Sequence, residues 1–129
     1  MIDWDALIRA AMKAQEMAYA KFSQFRIGAA LLDSEGNIFT GCNIENSSYS
    51  LTICAERTAV FKAVSEGSRI FKALVVYSDC NPPARPCGAC RQVLFEFSPI
   101  VEIICVNQAG VRDKFLLSDL LPEGFRLKD

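Results

Sequence analysis

Cys54-Ala55-Glu56-Arg57-Thr58-Ala59-Val60-Phe61-Lys62-Ala63-Val64-Ser65-Glu66 is the stretch on which the architecture turns. Ala55, Ala59, Val60 and Val64 recur at helical spacing, and Gly67 supplies a C-terminal stop, so residues 54–66 read as a helix. Upstream, residues 26–32 and 38–43 flank the polar segment Asp33-Ser34-Glu35-Gly36-Asn37. Gly36 and Asn37 there tolerate left-handed turn conformations, which predicts a hairpin. Earlier still, Trp4, Leu7, Ile8, Ala11, Ala14 and Ala18 recur at three- and four-residue steps behind Asp3 as N-cap, predicting a helix over 4–19. Downstream, 70–77 contains Ala73-Leu74-Val75-Val76 and reads as a buried strand, while the proline-rich 78–86 reads as a loop. Pro86 then opens a third helix over 87–97, and 100–106 is another buried strand. A turn at 107–110, a short strand near 114–116 and a short helix around 118–121 complete the order. That order predicts an α/β fold, a three-layer α/β/α sandwich around a mixed five-stranded sheet.

The chain has 129 residues, enough for one core and too few for two, so residues 1–129 are expected to form a single domain. Half the residues are apolar, and fourteen basic against fifteen acidic side chains give a net charge of −1. A nucleic acid polymer is therefore not an expected partner, and any substrate of that kind should be small. No stretch approaches the length of a bilayer span, and Met1-Ile2-Asp3-Trp4-Asp5 lacks the basic start of a secretory signal, so a cytoplasmic protein without membrane contact is expected. In a reducing cytosol Cys42, Cys54, Cys80, Cys87, Cys90 and Cys105 should be unpaired. Histidine is absent, which excludes imidazole-based triads and restricts any zinc site to thiolates or carboxylates.

Three cysteines fall at helix starts: Cys54 on one helix, Cys87 and Cys90 on the next. Unpaired N–H groups and partial positive charge there favour the thiolate that binds metal. Cys87-Gly88-Ala89-Cys90 places two sulfurs on one turn, a spacing shared by zinc pairs and redox dithiols. Three thiols suit a catalytic zinc with one place left for water. Cys80, in the loop before Pro86, is the one candidate for a fourth ligand, and with it the site would be closed and structural. Cys42 and Cys105 read as small buried thiols. Glu56, in the same first turn as Cys54, could hang beside a metal-bound water as proton carrier or simply be a glutamate favoured by the helix dipole. Arg57 could temper the charge of three thiolates or be a surface arginine.

Base-deaminating zinc enzymes share a ligand, one intervening residue and Glu, followed later by Pro-Cys-x-x-Cys, and Cys54-Ala55-Glu56 with Pro86-Cys87-Gly88-Ala89-Cys90 fits that pattern. Over nearly its whole length the sequence resembles the small homotetrameric, zinc-dependent cytidine deaminases. The resemblance runs through Phe25-Arg26-Ile27-Gly28-Ala29-Ala30-Leu31, Gly41-Cys42-Asn43-Ile44-Glu45-Asn46, Cys54 to Ala59 and Pro86 to Gln92. It implies one zinc per subunit on Cys54, Cys87 and Cys90, Glu56 as proton shuttle and Arg57 beside the thiolates. It also implies substrate contacts from Phe25 against the pyrimidine, from Asn43 and Glu45 at the ribose hydroxyls, and from Ala55. Tyr49 matches a position lining shared sites, and Phe125 one that reaches a neighbouring subunit's site. The family usually has proline where this chain has Lys21, which implies a less rigid loop before Phe25 and an effect on affinity before turnover.

The expected activity is hydrolytic deamination of cytidine and 2′-deoxycytidine to uridine and 2′-deoxyuridine in pyrimidine salvage. The alternatives are a deaminase of the same fold acting on another aminopyrimidine, such as blasticidin S, and a non-catalytic zinc module.

Overall fold

The computed structural model describes residues 1–127. Its elements are α1 (Trp4–Gln15), β1 (Ile27–Asp33), β2 (Ile38–Cys42), a 3-10 turn (Tyr49–Leu51), α2 (Ala55–Ser65), β3 (Phe71–Ser78), α3 (Gly88–Phe97), β4 (Glu102–Asn107), β5 (Arg112–Leu116) and α4 (Leu117–Leu120). The strands form one sheet in the order β2-β1-β3-β4-β5. Only the β3–β4 pair, joined through α3, is parallel; β1–β2, β1–β3 and β4–β5 are antiparallel.

Side chains alternate across a strand, so each strand feeds two cores. Ala29, Leu31, Leu74, Val76, Ile103 and Cys105 meet Ala55, Ala59 and Val60 of α2, Leu94 of α3 and Leu117 of α4. Ala30, Ala73, Val75, Tyr77, Ile104 and Val106 meet Leu7, Ile8 and Ala11 of α1. The result is the three-layer sandwich expected around a mixed five-stranded sheet. Among the described residues no helix is long and apolar enough to cross a membrane.

Two glycines set how closely the helices approach. A Cβ on Gly28 would collide with the Ala11 carbonyl and stand 2.6 Å from the Gln15 nitrogen, so α1 lies directly on β1. A Cβ on Gly41 would stand 2.5 Å from both the Ala55 oxygen and the Ala59 nitrogen, so the first turns of α2 rest on the backbone of β2. That second contact fixes the height of Cys54 and Glu56 above the sheet.

Several boundaries differ from the sequence reading. The periodic pattern carried α1 to Tyr19, but the helix ends at Gln15. Tyr19 is instead drawn into a bridge: its N–H donates to the Asn43 carbonyl (2.9 Å), and its own carbonyl accepts from the Glu45 N–H (2.8 Å). Tertiary pairing overrides local propensity there. Pro86 stands outside α3, with Cys87 as N-cap, and its carbonyl accepts from Arg91 Nε (2.8 Å). In the hairpin turn only Gly36 has positive φ (90°). The turn is held chiefly by Asp33, whose carboxylate accepts from the amides of Glu35 and Asn37, the Asn37 side chain and the Ser68 hydroxyl.

Candidate active site

The two cysteines that begin α2 and α3 are N-caps in extended conformation, and neither side chain caps its own helix. Serine or aspartate at such a position usually bonds back to the helix amides. The free sulfurs instead converge across the gap between the helices. Cys54 Sγ and Cys87 Sγ are 3.8 Å apart, Cys87 Sγ and Cys90 Sγ 3.5 Å, and all three lie within 4.8 Å of one another. Two thiolates at about 2.3 Å from one tetrahedral ion sit about 3.8 Å apart, so the trio matches a zinc site in chemistry and spacing. Among the described residues this is the one cysteine or carboxylate cluster of that kind, and Cys80 does not belong to it. The closed four-cysteine alternative therefore loses its fourth ligand.

The thiols are also prepared electrostatically. Cys54 is pulled down to about 5, first by the hydrogen bond from Cys90 and further by Arg57 and Cys87. Cys90, the donor in that shared proton, is pushed well above the ordinary thiol range, with burial adding to the effect. Arg57 Nη2 lies 3.4 Å from Cys54 Sγ, and the hydrogen bond to that sulfur raises the guanidinium further. Its Nε is buried without a hydrogen-bond partner. The geometry does not fit a free surface arginine: Arg57 is half-buried, its Nε lacks a partner and its Nη2 turns toward sulfur, an arrangement suited to tempering the charge of the cluster.

Glu56 is 4% exposed. Burial drives its carboxyl up to about 7, and the nearby Cys54 charge contributes in the same direction. A carboxyl titrating near neutrality can take and return a proton, which an ordinary solvated glutamate at a helix start does poorly.

A cavity of about 300 Å³ is lined by Cys54, Glu56 and Cys87 together with four of the expected contacts, Phe25, Asn43, Glu45 and Ala55, but not by Tyr49 or Phe125. Thr52, Ile53, Ala84 and Arg85 line it too, and sequence reasoning passed over all four. Only the run of prolines around Ala84 and Arg85 hinted at a shaped loop. Arg85, a cation at this wall, bonds Asp113 Oδ2 (3.0 Å) and the Pro83 carbonyl (2.9 Å), with its charge 5.2 Å from the Phe115 ring centre.

The Asn43 side chain holds the start of β1: Nδ2 donates to the Phe25 carbonyl (2.6 Å), and Oδ1 accepts from the Ile27 amide (2.9 Å). Glu45 accepts from the amides of Phe22 (2.9 Å) and Ser23 (3.1 Å) and from the Ser23 hydroxyl. The bond from that hydroxyl is the main cause that holds its carboxyl below the usual range. Tyr49, on the 3-10 turn, packs edge-on against Phe22 with ring centres 5.8 Å apart. Phe125 lies away from this cavity, with its ring exposed and its carbonyl accepting from Gln92 of α3.

A cluster of three thiols, two of which share a cavity wall with a buried acid, on an α/β/α sandwich, fits the class of a zinc-dependent hydrolase. Residues 1–107 match the family described as the cytidine and deoxycytidylate deaminase zinc-binding region. A cytidine deaminase of Sporosarcina psychrophila is 50% identical over 129 residues, covering 99% of this chain and 95% of the relative. That of Halalkalibacterium halodurans is 46% identical, covering 99% and 98%. The crystal structure of cytidine deaminase from Burkholderia pseudomallei superimposes with a TM-score of 0.92 at 46% identity, covering 97% of this chain and 100% of that one. The chain belongs to the cytidine deaminase family.

Proposed function

We propose that the protein catalyses the hydrolytic deamination of cytidine and 2′-deoxycytidine to uridine and 2′-deoxyuridine, with release of ammonia. The observation that carries this reading is that one cavity is lined both by the buried Glu56 with Cys54 and Cys87 of the sulfur trio and by Phe25, Asn43 and Glu45.

Cys54, Cys87 and Cys90 would hold one zinc ion, which when bound acts as a Lewis acid and brings the pKa of water down toward about 7. Glu56 takes a proton from the attacking water at its carboxylate and passes it to ring nitrogen 3. It then carries the second water proton to the amine, so that the bond between carbon 4 and nitrogen breaks and ammonia leaves. Arg57 offsets the negative charge of the sulfurs, Ala55 contributes its position at the start of α2, and Phe25 offers its ring to the pyrimidine. Asn43 and Glu45 face the sugar, which favours a nucleoside over blasticidin S or a free base. Among the described residues the one cation lining this wall, Arg85, is already paired with Asp113, which disfavours a phosphate-bearing substrate.

Tyr49, Leu51 and Phe125 are strongly exposed large side chains, which supports a homotetramer with sites at subunit interfaces and Phe125 reaching a neighbour's cavity. The unpaired cysteines are in keeping with a cytoplasmic enzyme of pyrimidine salvage. The deciding experiment measures ammonia release from cytidine, deoxycytidine, cytosine and blasticidin S, with and without a chelator. Chelator-sensitive release confined to the two nucleosides supports the reading, whereas zinc binding without release from any of them refutes it in favour of a structural module.

A further inference from the structure

A second cavity, of about 380 Å³, adjoins the catalytic one, and the two share Glu45 and Thr52 as a common wall. Ser23 lines this second cavity and not the catalytic one. Its hydroxyl nevertheless bridges two residues of the catalytic wall. It donates to Glu45 Oε2, while its oxygen accepts from the Phe25 amide (3.0 Å). The amides of Phe22 and Ser23 converge on the other carboxylate oxygen. Between Ser23 and Phe25 stands Gln24 at φ 59°, a left-handed conformation that disfavours non-glycine residues and persists only where neighbouring contacts enforce it. Asn43 anchors the next residues through the Phe25 carbonyl and the Ile27 amide, so the turn is pinned at both ends.

We propose that Ser23 is a positioning residue for nucleoside binding, its hydroxyl setting the Glu45 carboxylate and the Phe25 backbone in their binding arrangement before substrate arrives. The proposal rests on the assignment of Glu45 and Phe25 to the nucleoside site made above. Without the hydroxyl, Glu45 Oε2 loses its donor and the Phe25 amide its acceptor, and substrate binding must supply the order that the free protein lacks. Such a cost appears in affinity. Ser23 makes no bond to the sulfurs or to Glu56, so proton transfer retains its own machinery.

The test compares Ser23→Ala, Ser23→Thr, Glu45→Gln and Ser23→Ala/Glu45→Gln in the zinc-loaded protein, with kcat and KM for cytidine and amide hydrogen exchange over residues 22–25. Loss of one such bridge should raise KM about tenfold in Ser23→Ala, with kcat falling far less. Ser23→Thr, which keeps a hydroxyl, should recover most of the affinity. Exchange at the Phe22, Ser23 and Phe25 amides should accelerate in Ser23→Ala. The double variant should be little worse than Glu45→Gln alone, because both changes break one device. Unchanged KM in Ser23→Ala, a loss confined to kcat, fully multiplicative effects or unaltered exchange would each overturn the proposal. If the wild-type protein releases no ammonia from cytidine, the functional reading falls and the affinity role with it. Exchange still judges the hydrogen-bonded clamp independently.

Discussion

At the sulfur end of the cavity, Cys54, Glu56, Cys87 and Cys90 hang from two helix starts, and α2 is pressed onto the sheet through the bare backbone of Gly41. Elsewhere on the same cavity wall, Phe25 and Glu45 sit on irregular segments ordered by side-chain hydrogen bonds and by short bridges at Tyr19–Ile44 and Ile44–Ile53. Packed backbone cannot shift by fractions of an ångström without displacing its neighbours, whereas a hydrogen-bonded loop can open locally at modest cost. Under the proposed function, the contrast would put proton transfer on packed backbone and nucleoside binding on a loop whose order depends on a few hydrogen bonds.

The largest effect should come from the sulfur end. Glu56→Gln should retain a full equivalent of zinc and lower kcat by on the order of 10³-fold, checked by metal analysis beside ammonia release. Comparable turnover in that variant would remove the proton carrier from the scheme. Gly41→Ala tests the packed support itself: with backbone atoms 2.5 Å from the new Cβ, α2 must lift. Overpacking of this kind should cost about 1–3 kcal/mol in denaturant unfolding and weaken zinc retention. A stable, fully metallated variant would show that the helix start is not held by that contact.

Asp33, on the hairpin turn, provides a comparison outside the cavity. Burial alone would raise its carboxyl, but donation from Ser68, from the amide and side chain of Asn37 and from the Glu35 amide holds it below the ordinary carboxylate range. Its folded value thus lies below the unfolded one, near 3.9, so its contribution is fully present above that pH. It is lost as pH falls through the depressed folded value. Asp33→Ala should cost about 1.5–3 kcal/mol at neutral pH, leave KM unchanged and flatten the acid limb of the stability profile, as chemical unfolding at several pH values would show. The smallest change is expected from Lys21→Pro, ahead of the Glu45-held loop. It should stabilise by about 0.4–1 kcal/mol and lower KM for cytidine slightly, with kcat unaltered. A fall in kcat instead would couple this loop to the chemistry.

Much of this was legible in the chain. The order of strands and helices followed from periodicity, because burial on one or both faces writes itself into the spacing of apolar residues. Cys54, Cys87 and Cys90 were legible as candidate ligands because helix starts and Cys-x-x-Cys spacing are local properties, and the fold brings their sulfurs together. Ser23, Thr52, Ile53, Ala84 and Arg85 were not, since each is an ordinary residue until the fold sets it against a cavity wall. The end of α1 was misplaced for a related reason, as the partner of Tyr19 lies more than twenty residues away. Cys80 shows the same divide: chain distance alone left it a possible ligand, and only the folded geometry separated it from the trio.

Residue type and local spacing thus determined which groups carry chemistry and which segments become helix or strand, because those preferences act over a few residues. The tertiary structure decided which of those groups meet. Convergence of three sulfurs, desolvation of Glu56 and the bridging of Glu45 to Phe25 arise only when segments far apart in the chain exclude water together.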